Sequence, residues 1–208
     1  MLCSLPLGVL LAWILARLDF PGKSLLDGLL YLPLVLPPVV IGYLLLVAFG
    51  RNGLIGKMIY ELFGVSIAFT WKGAVAASAV MAFPLLVRAV RLSLGAVDTK
   101  LEMAARTLGA NPWRVFFTIT LPLSTPGIIA GMVLAFARSL GEFGATITFV
   151  SNIPGQTQTL PLALYTMTQV PNGEAAAMRL CLIAIVIALL ALIGANQLET
   201  RFARHFEG

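Results

Sequence analysis

Residues 98–122 read DTKLEMAARTLGANPWRVFFTITLP, and their local chemistry describes two short helices joined by a tight turn. Asp98 stands where a carboxylate can accept from the free N–H groups of a helix start. Leu101, Ala104, Ala105 and Leu108 follow at i, i+3, i+4 and i+7, so they share one apolar face. Glu102 and Arg106 lie elsewhere on that helix, at the i,i+4 spacing of a salt bridge. Gly109 suits the left-handed position that ends a helix. Asn111-Pro112 opens a second one, with Asn as cap and Pro in the first turn. This helix is expected to run through Trp113 and Phe117 and to stop at Pro122.

On either side of this hairpin the chain is strongly apolar. Of 208 residues 59% are hydrophobic and 11% charged, and the mean hydropathy is +0.95. Soluble domains carry about 25% charged residues, so a soluble enzyme, a disordered tail and a nucleic-acid-binding domain are excluded, and a bilayer is indicated. A spanning helix needs about 20 apolar residues. Gly28 to Gly50, Ile67 to Val87, Ile128 to Val150 and Leu180 to Leu198 meet that length. Leu2 to Ala16 contains Pro6 and reaches roughly 22 Å as a helix, short of a crossing. The expectation is that the chain begins inside its first membrane helix, with Trp13 and Arg17 as an interfacial anchor at its end. Pro33, Pro37, Pro38 and Pro84 fall inside spans. They mark either packing irregularities or bends around a pathway.

Placing the hairpin in the cytoplasm puts Arg17, Lys23, Arg88, Arg91, Lys100, Arg106, Arg114, Arg201 and Arg204 inside. Arg51, Lys57, Lys72 and Arg179 are then outside. The excess inside implies five helices running N-out to C-in. The net charge of +5 is thus a topology signal rather than a nucleic-acid footprint. Residues 1–208 read as a single all-α membrane domain, with the hairpin at about 98–122 and an external segment at about 151–177. Within the latter, Thr159 to Thr168 is expected to form a short helix, serving either as a plain interfacial element or as an outer gate.

No catalytic or metal-binding constellation is present. Cys3 and Cys181 lack ligand spacing, and His205 lies in a charged tail. Gly22-Lys23-Ser24 resembles the end of a phosphate-binding loop, but Arg17 occupies the place of that motif's first glycine. Arg138 and Glu142 lie within the fourth span, four residues apart, where a charge requires a partner. They are candidates either for an internal ion pair or for a translocation pathway.

Ala104-Ala105, Gly109, Ile119, Leu121 and Pro122 resemble the E-A-A---G---------I-L-P motif of ABC importer permeases. Met103 occupies the motif's Glu place, with Glu102 just before it. Phe20-Pro21-Gly22-Lys23, residues 32–47 and residues 138–156 narrow the resemblance to the molybdate permeases, with sulfate permeases nearest to them. The resemblance implies the type I importer fold, with the hairpin as coupling element: Glu102, Met103, Ala104, Ala105, Gly109, Ile119, Leu121 and Pro122. It further implies a homodimer in the bacterial inner membrane and two copies of a cytoplasmic ATPase that uses ATP and Mg. A periplasmic molybdate-binding protein would deliver substrate, and family members have a longer N-terminal region. No cofactor is expected on this chain and no enzymatic activity of its own. Sulfate or tungstate as cargo, and an ATP-independent channel or carrier, remain alternatives at this level.

Overall fold

Prolines and glycines divide the apolar chain into more helices than its hydropathy suggests. The computed structural model describes the backbone of residues 3–206 and side chains from residue 3 to 198. The readings of Arg201, Arg204 and His205, and the start at Leu2, lie outside that set. In chain order the helices are α1 (Ser4–Arg17), α2 (Lys23–Val35), α3 (Pro38–Phe49), α4 (Leu54–Phe63), α5 (Trp71–Ala96), α6 (Thr99–Thr107) and α7 (Pro112–Val115). A π-helical turn, Phe116–Thr120, leads to α8 (Leu121–Leu123), α9 (Thr125–Leu140), α10 (Gly144–Val150), α11 (Leu160–Gln169) and α12 (Glu174–Phe206).

Among the described residues, α5 and α12 are the unbroken helices long and apolar enough to cross a membrane. The expected span at Gly28 to Gly50 is instead two helices, α2 and α3, meeting at 115°. Pro37 and Pro38 cause the break: neither donates a backbone hydrogen bond, and each disfavours the α conformation of the residue before it. Pro33 and Pro84, by contrast, sit inside helices that continue through them. The span expected at Ile128 to Val150 is likewise divided, into α9 and α10 with Gly141-Glu142-Phe143 between them. Helix α5 starts at Trp71 rather than Ile67, behind a turn in which the Thr70 hydroxyl donates to the Ile67 carbonyl at 2.7 Å.

The chain forms two compact units. One comprises the described chain up to Leu29, Leu85–Ala135 and the described chain from Ala191 on; the other comprises Leu30–Pro84 and Phe136–Leu190. In the first, Leu86, Val90 and Leu94 line a buried stripe of α5. Gly127 of α9 lies so close that a Cβ there would come 2.1 Å from Ser93 Cβ. Asp27 and Arg91 form a salt bridge of 2.6 Å in this unit.

In the second unit, Ile41, Ala74, Ala77, Met81, Ala145, Phe149 and Val150 belong to one buried cluster. Helices α3 and α10 meet backbone to backbone: a Cβ on Gly42 would fall 2.6 Å from the Ala145 carbonyl oxygen. A Cβ on Gly144 would lie 2.8 Å from Pro38 Cβ. Small residues permitting such approach are the usual means of helix association in lipid.

Residues 151–173 are organised rather than loose. The Asn152 amide donates to the Thr166 hydroxyl at 2.7 Å and accepts from Gln158 at 3.0 Å. Helix α11 begins one residue after Thr159, close to expectation, and α12 begins at Glu174, slightly before the boundary expected at 177. The apolar side chains of α12, Leu182, Ile185, Leu189 and Ile193 among them, are exposed. An apolar helix of this kind requires a lipid or protein environment.

Candidate functional site: the helical hairpin and the Arg138–Glu142 pair

Local capping builds the hairpin as the sequence suggests. Asp98 Oδ1 accepts from the Lys100 N–H at 2.9 Å and starts α6. At the other end Gly109 has φ +85°, a value that costs little only for glycine. The N–H groups of Gly109 and Ala110 donate to the Arg106 and Ala105 carbonyls at 3.0 and 3.1 Å, the Schellman closure of a helix. Asn111 Oδ1 then accepts from the Arg114 N–H at 2.7 Å, with Pro112 in the first turn of α7.

The second helix extends a little beyond the expected stop at Pro122. The Leu121 N–H bonds the Phe116 carbonyl, giving the wider π register, and helix continues to Leu123. Pro122 lacks the donor that an α register would use there, so the preceding turn widens. Beyond Ser124 the path bends by 64° into α9.

The motif residues separate into two sets. Met103 and Ala104 are exposed, Ala105 is half-buried, and α6 has no buried residue. Leu101 and Leu108 are exposed too, so the apolar face read from the sequence is presented rather than packed. Trp113 and Phe117 stack beside it, 72% and 57% exposed. Ile119, Leu121 and Pro122 are half-buried at the root of the hairpin.

Glu102 departs from expectation. Its partner is not Arg106 but Arg17 of α1, with Arg17 Nη2 at 2.8 Å from Glu102 Oε1. The Thr120 hydroxyl donates to the same oxygen at 2.8 Å. Side-chain exposure is 17% for Arg17 and 13% for Glu102, so their attraction is screened less than that of an exposed i,i+4 contact. Arg106 remains at the surface. Trp13, read as an interfacial anchor like Arg17, packs edge-on against Phe116, ring centroids 6.2 Å apart. Both therefore serve the hairpin. Sequence reading missed Arg17 and Thr120, since no spacing rule links positions 17, 102 and 120.

In the second unit Arg138 and Glu142 do pair, Nη1 to Oε2 at 2.6 Å, although Glu142 lies beyond the end of α9. Glu142 is 1% exposed and Oε1 also accepts from the Ala145 N–H at 2.7 Å. The carboxylate thus closes the break between the two helices and caps the start of α10. Arg138 keeps 26% of its side chain exposed. Close by, Ser139 donates to the Ser78 carbonyl at 3.4 Å. The two segments quoted for the subfamily resemblance, 32–47 and 138–156, are in contact here through Gly42 and Gly144.

The residues 22–24 that mimic a phosphate loop are otherwise engaged: Lys23 Nζ pairs with Asp19 at 2.8 Å. That hydrogen bond and the lysine's charge hold the exposed Asp19 carboxyl below its ordinary value. Among the described residues no group of three or more His, Cys, Asp or Glu could hold a metal ion.

A polytopic helical chain with this hairpin belongs to the binding-protein-dependent transport system inner membrane components, whose family profile it matches over residues 4–204. Within that family it is 67% identical over 192 residues to the molybdenum transport system permease protein ModB of Escherichia coli (strain K12), covering 92% of this chain and 84% of that protein. Identity to ModB of Haemophilus influenzae is 65% over 204 residues, covering 98% and 89%. The sulfate transport system permease protein CysT of Escherichia coli (strain K12) is 38% identical over 201 residues, covering 97% and 72%.

The fold is shared with solved ABC importers. A bacterial alginate ABC transporter in complex with an alginate pentasaccharide-bound periplasmic protein matches with TM-score 0.74 at 18% identity, covering 95% of this chain and 72% of that one. The inward-facing MetNI methionine ABC transporter matches with TM-score 0.71 at 16% identity, covering 97% and 86%. The chain is an ABC importer permease.

Proposed function

We propose that this permease carries molybdate across the bacterial inner membrane, energised by a separate ATPase. Two copies of this chain form the pathway, two ATPase copies engage the hairpins, and a periplasmic binding protein delivers the anion. ATP and Mg act in the ATPase, and this chain binds no cofactor and performs no chemistry. The five-helix reading places the N-terminus outside and the C-terminus inside, with residues 98–122 in the cytoplasm.

The observation that carries the proposal is the hairpin: a helix capped by Asp98 that presents Leu101, Met103 and Ala104 outward, with Leu108 exposed at its end. Such a surface suits a protein partner. Ala104 and Ala105 allow close approach and Gly109 sets the elbow. The cargo assignment draws on the 67% identity to ModB. CysT, at 38%, supports sulfate as the second reading. Arg138 is proposed to assist the anion's passage, with Glu142 as counter-charge that prevents its retention.

Two experiments test this. A cysteine at Ala105 should cross-link to the ATPase in membranes, and absence of any cross-link in a folded complex argues against the hairpin as the docking element. Proteoliposomes containing the assembled complex should accumulate molybdate only with internal ATP, and uptake without ATP would identify a channel or carrier instead. Arg138→Gln should lower that uptake per assembled complex; unchanged uptake removes Arg138 from the pathway.

A further inference from the structure

Helix α6 has nine residues and none of them is buried. A helix this short has little stability of its own, and apolar packing does not fix its direction. What ties it down is Glu102, turned inward while the neighbouring Met103 is 56% exposed. Glu102 Oε1 meets Arg17 Nη2 at the end of α1 and the Thr120 hydroxyl in the π-turn that precedes α8 and α9, each at 2.8 Å. Arg17 Nη2 also reaches the Val97 carbonyl, at 3.5 Å, just ahead of α6. Arg17 Nε is buried with no hydrogen-bond partner among the described residues, and the acidic group at salt-bridge distance from the guanidinium is Glu102.

We infer that Glu102, Arg17 and Thr120 form a strut inside the chain that carries displacement of α6 to α1 and to the root of α9. Glu102 is then a positioning residue and makes no contact with the ATPase. This rests on the reading of α6 as the ATPase-docking helix. An ionic contact between elements far apart in sequence suits such a role, because hydrogen-bond and salt-bridge networks between helices can carry coupling from one to another. The departure of this chain from the family motif acquires a reason. Met103 presents an adaptable apolar side chain to the partner, while the carboxylate one position earlier serves the chain itself.

The test is a charge swap in the full complex of permease, ATPase and binding protein. Arg17→Glu and Glu102→Arg should each reduce binding-protein-stimulated ATP hydrolysis, measured per assembled complex, by about tenfold or more. The double swap should recover stimulation to within about threefold of the parent. If a reversal variant fails to accumulate, Glu102→Gln and Arg17→Lys are read in the same assay, and the glutamine should lower stimulation more than the lysine. Full stimulation in the single variants overturns the strut. So does a Glu102→Arg defect that Arg17→Glu neither shares nor repairs, which would indicate that Glu102 touches the ATPase directly. A Gly109→Val control separates the two ideas: if it uncouples while the strut variants do not, the strut alone fails. If the parent complex shows no stimulation, the importer reading itself fails.

Discussion

Replacing Glu142 should destabilise the second unit in a graded way that follows from its two hydrogen bonds. Glu142→Ala leaves Arg138 without its counter-charge and the Ala145 N–H without its acceptor, both lost from a residue that is 1% exposed. Breaking a buried pair costs about 3–5 kcal/mol, and the residual exposure of Arg138 places the expected loss near the lower end, about 3 kcal/mol. Glu142→Gln keeps one acceptor oxygen for two donors, so about 1–2 kcal/mol is expected. The double variant Arg138→Met/Glu142→Leu removes both charges together. It should be more stable than Glu142→Ala, since no uncompensated charge remains. The assay is denaturant unfolding of the purified permease in mixed micelles, followed by tryptophan fluorescence, with each variant's transition compared at fixed detergent. Glu142→Ala within about 0.5 kcal/mol of the parent, the range of an ordinary surface change, would refute the view that this carboxylate closes the helix break.

Other expectations follow from single positions. Gly42→Val should lower stability by about 1–3 kcal/mol, because its Cβ would strike the Ala145 backbone at 2.6 Å; the same unfolding assay checks it. Gly109→Val meets no neighbour, yet its φ is +85°, so the strain of about 1–2 kcal/mol should distort the elbow and show as lost coupling at normal expression. Asn111→Ala should cost about 1 kcal/mol locally, read as faster amide exchange at Arg114. Asp19, held below its ordinary value of 3.8 by Lys23, contributes to folding above that value and loses the contribution as pH falls through its lowered folded value. Lys23→Met should bring the Asp19 titration back up, measurable by NMR, and remove this small surface contribution near pH 7.

Local chemistry was legible wherever a residue acts on its own neighbours. Asp98, Gly109 and Asn111 do what their types imply, because caps and left-handed turns are settled within four residues. Hydropathy marked the apolar segments but could not tell a straight span from a bent one. Pro37-Pro38 gave notice of the bend without its angle. The break at Gly141 to Phe143 gave none, since Glu142 preserves helical spacing to Arg138 while standing outside α9. Pair spacing misled at Glu102, where Arg106 is near in sequence but Arg17, 85 positions away, is nearer in space. Contacts of that separation are created by tertiary packing, and no periodicity reports them.

The central claim is that this chain converts ATP hydrolysis by a partner into molybdate entry. Its most direct measurement is ATP hydrolysis by the reconstituted permease–ATPase complex, titrated with binding protein loaded with molybdate or with sulfate. Strong stimulation by the molybdate-loaded protein is expected, and little by the sulfate-loaded one. Equal stimulation by both would contradict the molybdate assignment, and no stimulation by either would contradict the coupling itself.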